Sequence, residues 1–171
     1  MRTVSGMGFA TFVVLTLLGT TAARAQQFVQ HCTDDSRRCM IAAATSYLDG
    51  LVRHDGSKVL FAPNIVRTEQ GRDAGKGEAV LRASLDREPP MLGYGNTRFF
   101  VDRQTHQLVY FTLLRLAVDA SRQGNPTPGP VTVHLAERFK IEHGLITEIE
   151  AVYFGQPGTS EGLSGWPDRP D

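Results

Sequence analysis

Cysteine is scarce in this sequence: Cys32 and Cys39 are the only two in 171 residues. Two thiols with only His31 nearby fall short of the four ligands of a structural zinc site. No H-x-H or H-x3-H spacing occurs among the 5 histidines, so no metal site is expected. A G-x-S-x-G elbow is missing, as is any Cys/His nucleophile arrangement. Charge of one sign is missing too: 18 Lys+Arg stand against 18 Asp+Glu, with no basic stripe or cluster. Nucleic-acid binding therefore has no electrostatic basis. Long apolar runs are confined to Met7–Leu18, about a dozen residues where a membrane span needs ~20.

What that run offers is a leader. Arg2, the apolar segment and Ala23-Arg24-Ala25 follow the order of a basic n-region, an h-region and an A-x-A cleavage signal. Cleavage is expected after Ala25, giving a periplasmic or secreted chain of 146 residues with 16 Lys+Arg against 18 Asp+Glu, and no membrane association afterwards. In an exported chain an even, closely spaced cysteine pair favours a disulfide. Residues seven apart on one helix lie ~10 Å from each other, beyond disulfide reach. Cys32 must therefore sit in an irregular lead-in, residues 26–38, that folds back on the helix holding Cys39. One domain's worth of chain follows, residues 39–154, and then a Gly/Pro/Ser-rich stretch, 155–171, that reads as an irregular tail in which Trp166 could dock.

Within the domain, Met40, Ile41, Ala44, Tyr47, Leu48, Leu51 and Val52 step by three and four, the mark of an amphipathic helix with Asp35 or Ser36 as N-cap. His54-Asp55-Gly56 breaks it, and Ser57–Phe61 reads as one further turn. Ile65–Glu69 reads as a strand, and Lys76–Leu85 as a second helix with Ala79, Val80 and Ala83 inward. After Pro89-Pro90 the pattern turns to strands: Thr97–Asp102, then 108–118, 131–142 and 145–154, the last two joined by a tight His143-Gly144 turn. Helices followed by a meander of long strands give an α+β class. Strands apolar on much of both faces require a sheet that curls, with the helices covering its inside.

Between strand and helix lies "EQGRDAGKGE", the place where a phosphate loop would stand. A Walker A loop needs four residues between its glycines and a Ser or Thr after the lysine. Here three residues separate Gly71 from Gly75, and Gly77 stands where the hydroxyl belongs. The corner reads as a turn using glycines at φ > 0, and nucleotide binding is rejected.

This order of elements resembles the NTF2-like cone fold of the SnoaL-like polyketide cyclase and ketosteroid isomerase type. The stretch "SYLDGLVRHDGSKVLFAPNIVRTEQGRDAGKGEAVLRASL" resembles the opening of a SnoaL-like subgroup of exported bacterial and fungal proteins, and "RFKIEHGLITEIEAVYF" resembles the closing hairpin of the superfamily. The resemblance implies N-terminal helices packed on a strongly curved antiparallel sheet. It also implies a blind apolar pocket for a small hydrophobic molecule and chemistry without a cofactor.

Two acids share strand faces with apolar residues. Glu69, the Glu of the subgroup's "TEN" string, alternates with Ile65 and Arg67. It is either a general base or an acid neutralised by Arg67. As base it would act with Arg67 or Tyr110 steadying an oxyanion. Glu137 shares a face with Val131, Val133, Leu135, Phe139 and Ile141, and is either a pocket group or the partner of Arg115. Arg115 interrupts the row Val109, Phe111, Leu113, which puts Phe111 in the pocket wall. The opposite row, Leu108, Tyr110, Thr112, Leu114 and Leu116, is then expected on the outer face, where a homodimer or the tail would cover it. Tyr47 is a candidate hydrogen-bonding group for a ligand. A cofactor-independent isomerase, cyclase, lyase or hydrolase and a non-catalytic ligand carrier both remain open at this point.

Overall fold

A computed structural model describes residues 32–117 and 130–157. The expected leader, the link at 118–129 and residues 158–171, Trp166 among them, lie outside the described residues. Helix α1 runs Arg37–Arg53. Ser36 caps it, its hydroxyl accepting the Cys39 N–H at 3.3 Å, and His54 ends it in the left-handed region at φ 53°. Its buried stripe is Met40, Ala43, Ala44, Tyr47, Leu48 and Leu51, the three-and-four spacing of a helix laid on a core. A single 3-10 turn, Gly56–Lys58, follows.

The strands are β1 (Phe61–Glu69), β2 (Arg72–Lys76), β3 (Met91–Asp102), β4 (Gln107–Leu116), β5 (Val131–Glu142) and β6 (Leu145–Pro157), with α2 (Glu78–Leu85) between β2 and β3. They form one curved six-stranded sheet in the order β2-β1-β6-β5-β4-β3. The α+β class stands, with one refinement: β1 pairs with β6 in parallel, so the sheet is mixed. The glycine corner, expected as a plain turn, is a hairpin. Gln70 and Gly71 adopt φ 50° and 73°, the backbone of a two-residue primed turn, and pair Glu69 with Arg72.

Helix α2 faces the core through Leu81 and Leu85, while Ala79, Val80 and Ala83 are exposed, reversing the expected face. Arg82 sets that rotation. Its guanidinium donates to the carbonyl oxygens of Gly56 and Val59 and pairs with Glu78 at 2.6 Å.

The Cys32–Cys39 disulfide forms as expected, from an irregular lead-in onto the helix, with Cα atoms 5.2 Å apart. The same lead-in clasps both hairpin tips at one end of the sheet. Asp35 accepts the His143 N–H at 2.9 Å, lies 3.3 Å from His106 Nδ1, and its carbonyl accepts from Arg103 at 3.2 Å. Gly144, at φ 76°, lies so close to the lead-in that a Cβ there would sit 1.6 Å from the Cys32 carbonyl oxygen. Among the described residues no helix is long and apolar enough to cross a membrane.

Candidate functional site

The β4–β5 register decides which residues face inward. Tyr110 stands directly opposite Glu137, and Arg115 opposite Thr132. Directly paired residues share a face, so the inward row of β4 is Leu108, Tyr110, Thr112 and Leu114, all buried. Three expectations fall here, the first being that this row lies on the outer face of the sheet. Arg115 lies on the other face from Glu137 and cannot be its partner. Phe111 lies outside, 47% exposed, and is no part of the pocket wall. The reason is local: β4 is apolar on both faces, so its own alternation cannot choose between them.

On β6, Ala151 faces Glu137 and Ile149 faces Phe139. Parallel pairing of β1 with β6 then places Arg67 beside Ile149 and Glu69 beside Ala151. Arg67, Glu69, Glu137 and Tyr110 thus converge on one inner surface. Below them Tyr47 of α1 packs edge-on to Phe139 at 5.7 Å, and Tyr110 lies 5.2 Å from the same ring. The Arg67 guanidinium carbon sits 5.6 Å over the Tyr47 ring, within cation–π range. Above lies a cavity of about 160 Å³, walled by Leu51, Met91, Leu114, Val133, Leu135 and Ala151, with Glu137 and Arg67 as its buried charged groups.

Glu137 is 1% exposed and accepts a hydrogen bond from the Tyr110 hydroxyl. Burial pushes its carboxyl up, while the Arg67 charge and the Tyr110 hydrogen bond pull it back, and the balance leaves it at about 7. Burial also holds the Tyr47 and Tyr110 hydroxyls well above their ordinary range. For Arg67 burial acts against the charge, but Tyr47, Glu137, Glu69 and Glu88 outweigh it. Arg67 therefore stays a guanidinium, ion-paired with Glu69 and 3.7 Å from Glu88. Glu69 realises its ion-paired alternative. The Tyr47 hydroxyl is buried and makes no hydrogen bond among the described residues.

Glu88, Met91 and Tyr153 also line the cavity, with no local sequence pattern that marks them as site residues. Glu88 stands just before Pro89-Pro90, in a segment without periodicity, and only the fold brings it to Arg67. Its carboxyl is raised by burial, with Arg67 opposing. Neither β2 nor the β3 residues before Thr97 carried a strand signal, because Gly75, Gly93 and Gly95 interrupt them. The one cluster of metal-type side chains among the described residues is Cys32, Asp34 and Cys39, and both of its thiols are bonded to each other.

Residues 33–153 match the family model described as "Domain of unknown function (DUF8021)". The chain belongs to this family. No curated protein matches it. Among solved structures, the epoxide hydrolase/cyclase-like enzyme SalBIII, described in pyran ring formation in polyether salinomycin, superposes with a TM-score of 0.57 at 11% identity. That match covers 71% of this chain and 95% of the other. An LEH-like epoxide hydrolase of M. tuberculosis gives 0.53 at 17% identity over 68% and 84%. An NTF2-like protein of unknown function from Cytophaga hutchinsonii gives 0.53 at 16% over 68% and 97%. At these identities the likeness is one of fold, and the fold is NTF2-like, as the sequence resemblance implied.

Proposed function

We propose that this chain is a cofactor-independent acid–base catalyst acting on a small, largely apolar molecule, with Glu137 rather than Glu69 as the group that moves the proton. The observation that carries the reading is Glu137 itself: a carboxyl on the cavity wall, 1% exposed, held near neutrality and oriented by Tyr110. A base of that pKa loses and regains a proton readily at working pH. In the reaction proposed, Glu137 takes a proton from the carbon between a carbonyl and a carbon–carbon double bond, and the second carbon that later receives it is the far end of that double bond. The electron pair moves onto the carbonyl oxygen, Arg67 offsets the charge that develops there, and the proton returns at a second carbon, completing an isomerisation. Glu69 and Glu88 hold the Arg67 side chain in place.

The test is solvent exchange. A panel of small ketones and unsaturated ketones in D₂O with the protein should show catalysed deuterium uptake by mass spectrometry. Glu137→Gln should lose it by about 100-fold or more. A variant exchanging at the wild-type rate removes Glu137 from the chemistry. Tight retention of a panel compound without exchange in wild type favours a carrier.

The leader and the disulfide support export to an oxidising compartment, periplasmic or extracellular. A homodimer is supported by the outer sheet face, where Phe100, Phe111, Val152 and Phe154 are 47–60% exposed and the Phe154 ring stacks on His134 at 4.6 Å. A patch of this kind is more than scattered surface residues. Light scattering should give a dimer that Phe154→Asp dissociates, and a monomeric wild type ends that reading.

A further inference from the structure

The apolar cavity has a charged neighbour. A second cavity, of about 490 Å³, is lined by Arg72, Asp73 and Arg87 together with Arg67, Glu69 and Glu88. Arg67, Glu69, Glu88 and Tyr153 line both cavities. Arg67 and its two carboxylates therefore form a collar between an apolar inner chamber and a polar outer one.

The outer chamber's charges are not equally committed. Glu69 and Glu88 are held by Arg67, and Asp73 Oδ1 accepts the Gly75 N–H at 2.9 Å. Arg72 and Arg87 have no carboxylate partner among the described residues. Arg72 stands opposite Glu69 across the β1–β2 pair, on the collar's own face. Arg72 and Arg87, which line the same outer chamber, are the cations there that an anionic head can engage, and their planar forks suit a carboxylate. The inner chamber's 160 Å³ is about the volume that accepts a benzene ring.

We propose that the ligand is a small apolar carboxylic acid. Its largely apolar end, which carries the reacting carbonyl, fills the inner chamber against Glu137, and its carboxylate lies beyond the collar between Arg72 and Arg87. This rests on the inner chamber being the ligand site, as in the proposed function, and names the substrate class that site takes. The reacting carbon then lies at the end of the molecule remote from the carboxylate. An alcohol of the same shape forfeits the guanidinium contacts, and an ammonium meets two like charges.

Three probes that differ only in the head test it: 4-phenylbutanoate, 4-phenylbutan-1-ol and 4-phenylbutylamine. They are titrated calorimetrically into the purified protein at about pH 6, where the probe acid is ionised and Glu137 mostly is not. The acid should bind at least about 10-fold tighter than the alcohol, with the amine weakest. Arg72→Gln/Arg87→Gln, two exposed positions whose folding is checked by thermal melting, should bring the acid-to-alcohol ratio to about one. Equal affinities in the wild type, preference for the amine, persistence of the acid preference in the double variant, or no binding of any probe each overturns the proposal. None of these results bears on Glu137, whose role is read separately from deuterium exchange in Glu137→Gln.

Discussion

Replacing Glu137 with Gln separates the two forces that act on this carboxyl, and stability is where they show. If burial wins, the folded protein holds Glu137 protonated up to about 7, whereas the unfolded chain ionises it near its ordinary 4.5. A carboxyl raised in this way contributes its full share of stability below the unfolded pKa. That share is lost as pH rises, because the unfolded state ionises first and the folded state follows only near 7. The gap from 4.5 to about 7, at ~1.36 kcal/mol per unit, gives about 3 kcal/mol. Gln keeps the acceptor for the Tyr110 hydroxyl and has nothing to titrate.

The assay is chemical denaturation of wild type and Glu137→Gln, stepped from about pH 4 to about pH 8. Groups common to both cancel in the difference between them. Wild type should lose about 3 kcal/mol relative to the variant across that window, with most of the loss between about pH 4.5 and 7 and a plateau above. Had the Arg67 charge and the Tyr110 hydrogen bond outweighed burial, the folded pKa would lie below 4.5, and wild type would instead lose stability relative to the variant toward acid. A flat difference, or one of that opposite sign, refutes the account of a desolvated acid and with it the basis for Glu137 as the proton carrier.

Three further outcomes follow from the same geometry. On any substrate that the exchange assay identifies, kcat/KM should rise about tenfold per pH unit up to about 7 and then level off, since Glu137 must be ionised to accept a proton; a profile flat through that range argues for another base. Gly144→Ala should cost about 3 kcal/mol or more, because its φ of 76° and the Cys32 carbonyl leave no room for a Cβ; a loss under about 1 kcal/mol in denaturant would mean that the lead-in is not seated on the hairpin tip. Cys32→Ser/Cys39→Ser opens a closure of 7 residues' separation and should cost about 2.5 kcal/mol by loop entropy, with faster hydrogen exchange at the His143 amide that Asp35 holds; unchanged exchange there would uncouple the disulfide from the clasp.

How much of this the sequence discloses depends on whether one face of each element differs from the other. Helix α1 and its cap are legible because Ser36 and the Met40-to-Leu51 stripe are a local pattern. Strand β5 is legible because Thr132, His134, Arg138 and Lys140 mark one row as outward. The tight turn at His143-Gly144 carries its own chemistry, left-handed backbone that glycine supplies, whereas the one at Gln70-Gly71 is hidden because Gly75 in the short strand after it masks the hairpin. In β4 the alternation is silent: Leu108, Tyr110 and Leu114 are as apolar as Val109, Phe111 and Leu113, and only pairing with β5 turns Tyr110 inward. That one ambiguity moved the site. With β4 reversed, Glu137 acquires Arg115 as a partner and looks like half of a structural ion pair, which leaves Glu69 as the available acid. With β4 as it lies, the roles exchange: Glu69 is ion-paired with Arg67, and Glu137, hydrogen-bonded to Tyr110 against an apolar wall, feels the Arg67 charge without a salt bridge among the described residues. The same physics that hides this register from the sequence makes the carboxyl reactive, since a strand apolar on both faces is what removes water from around it.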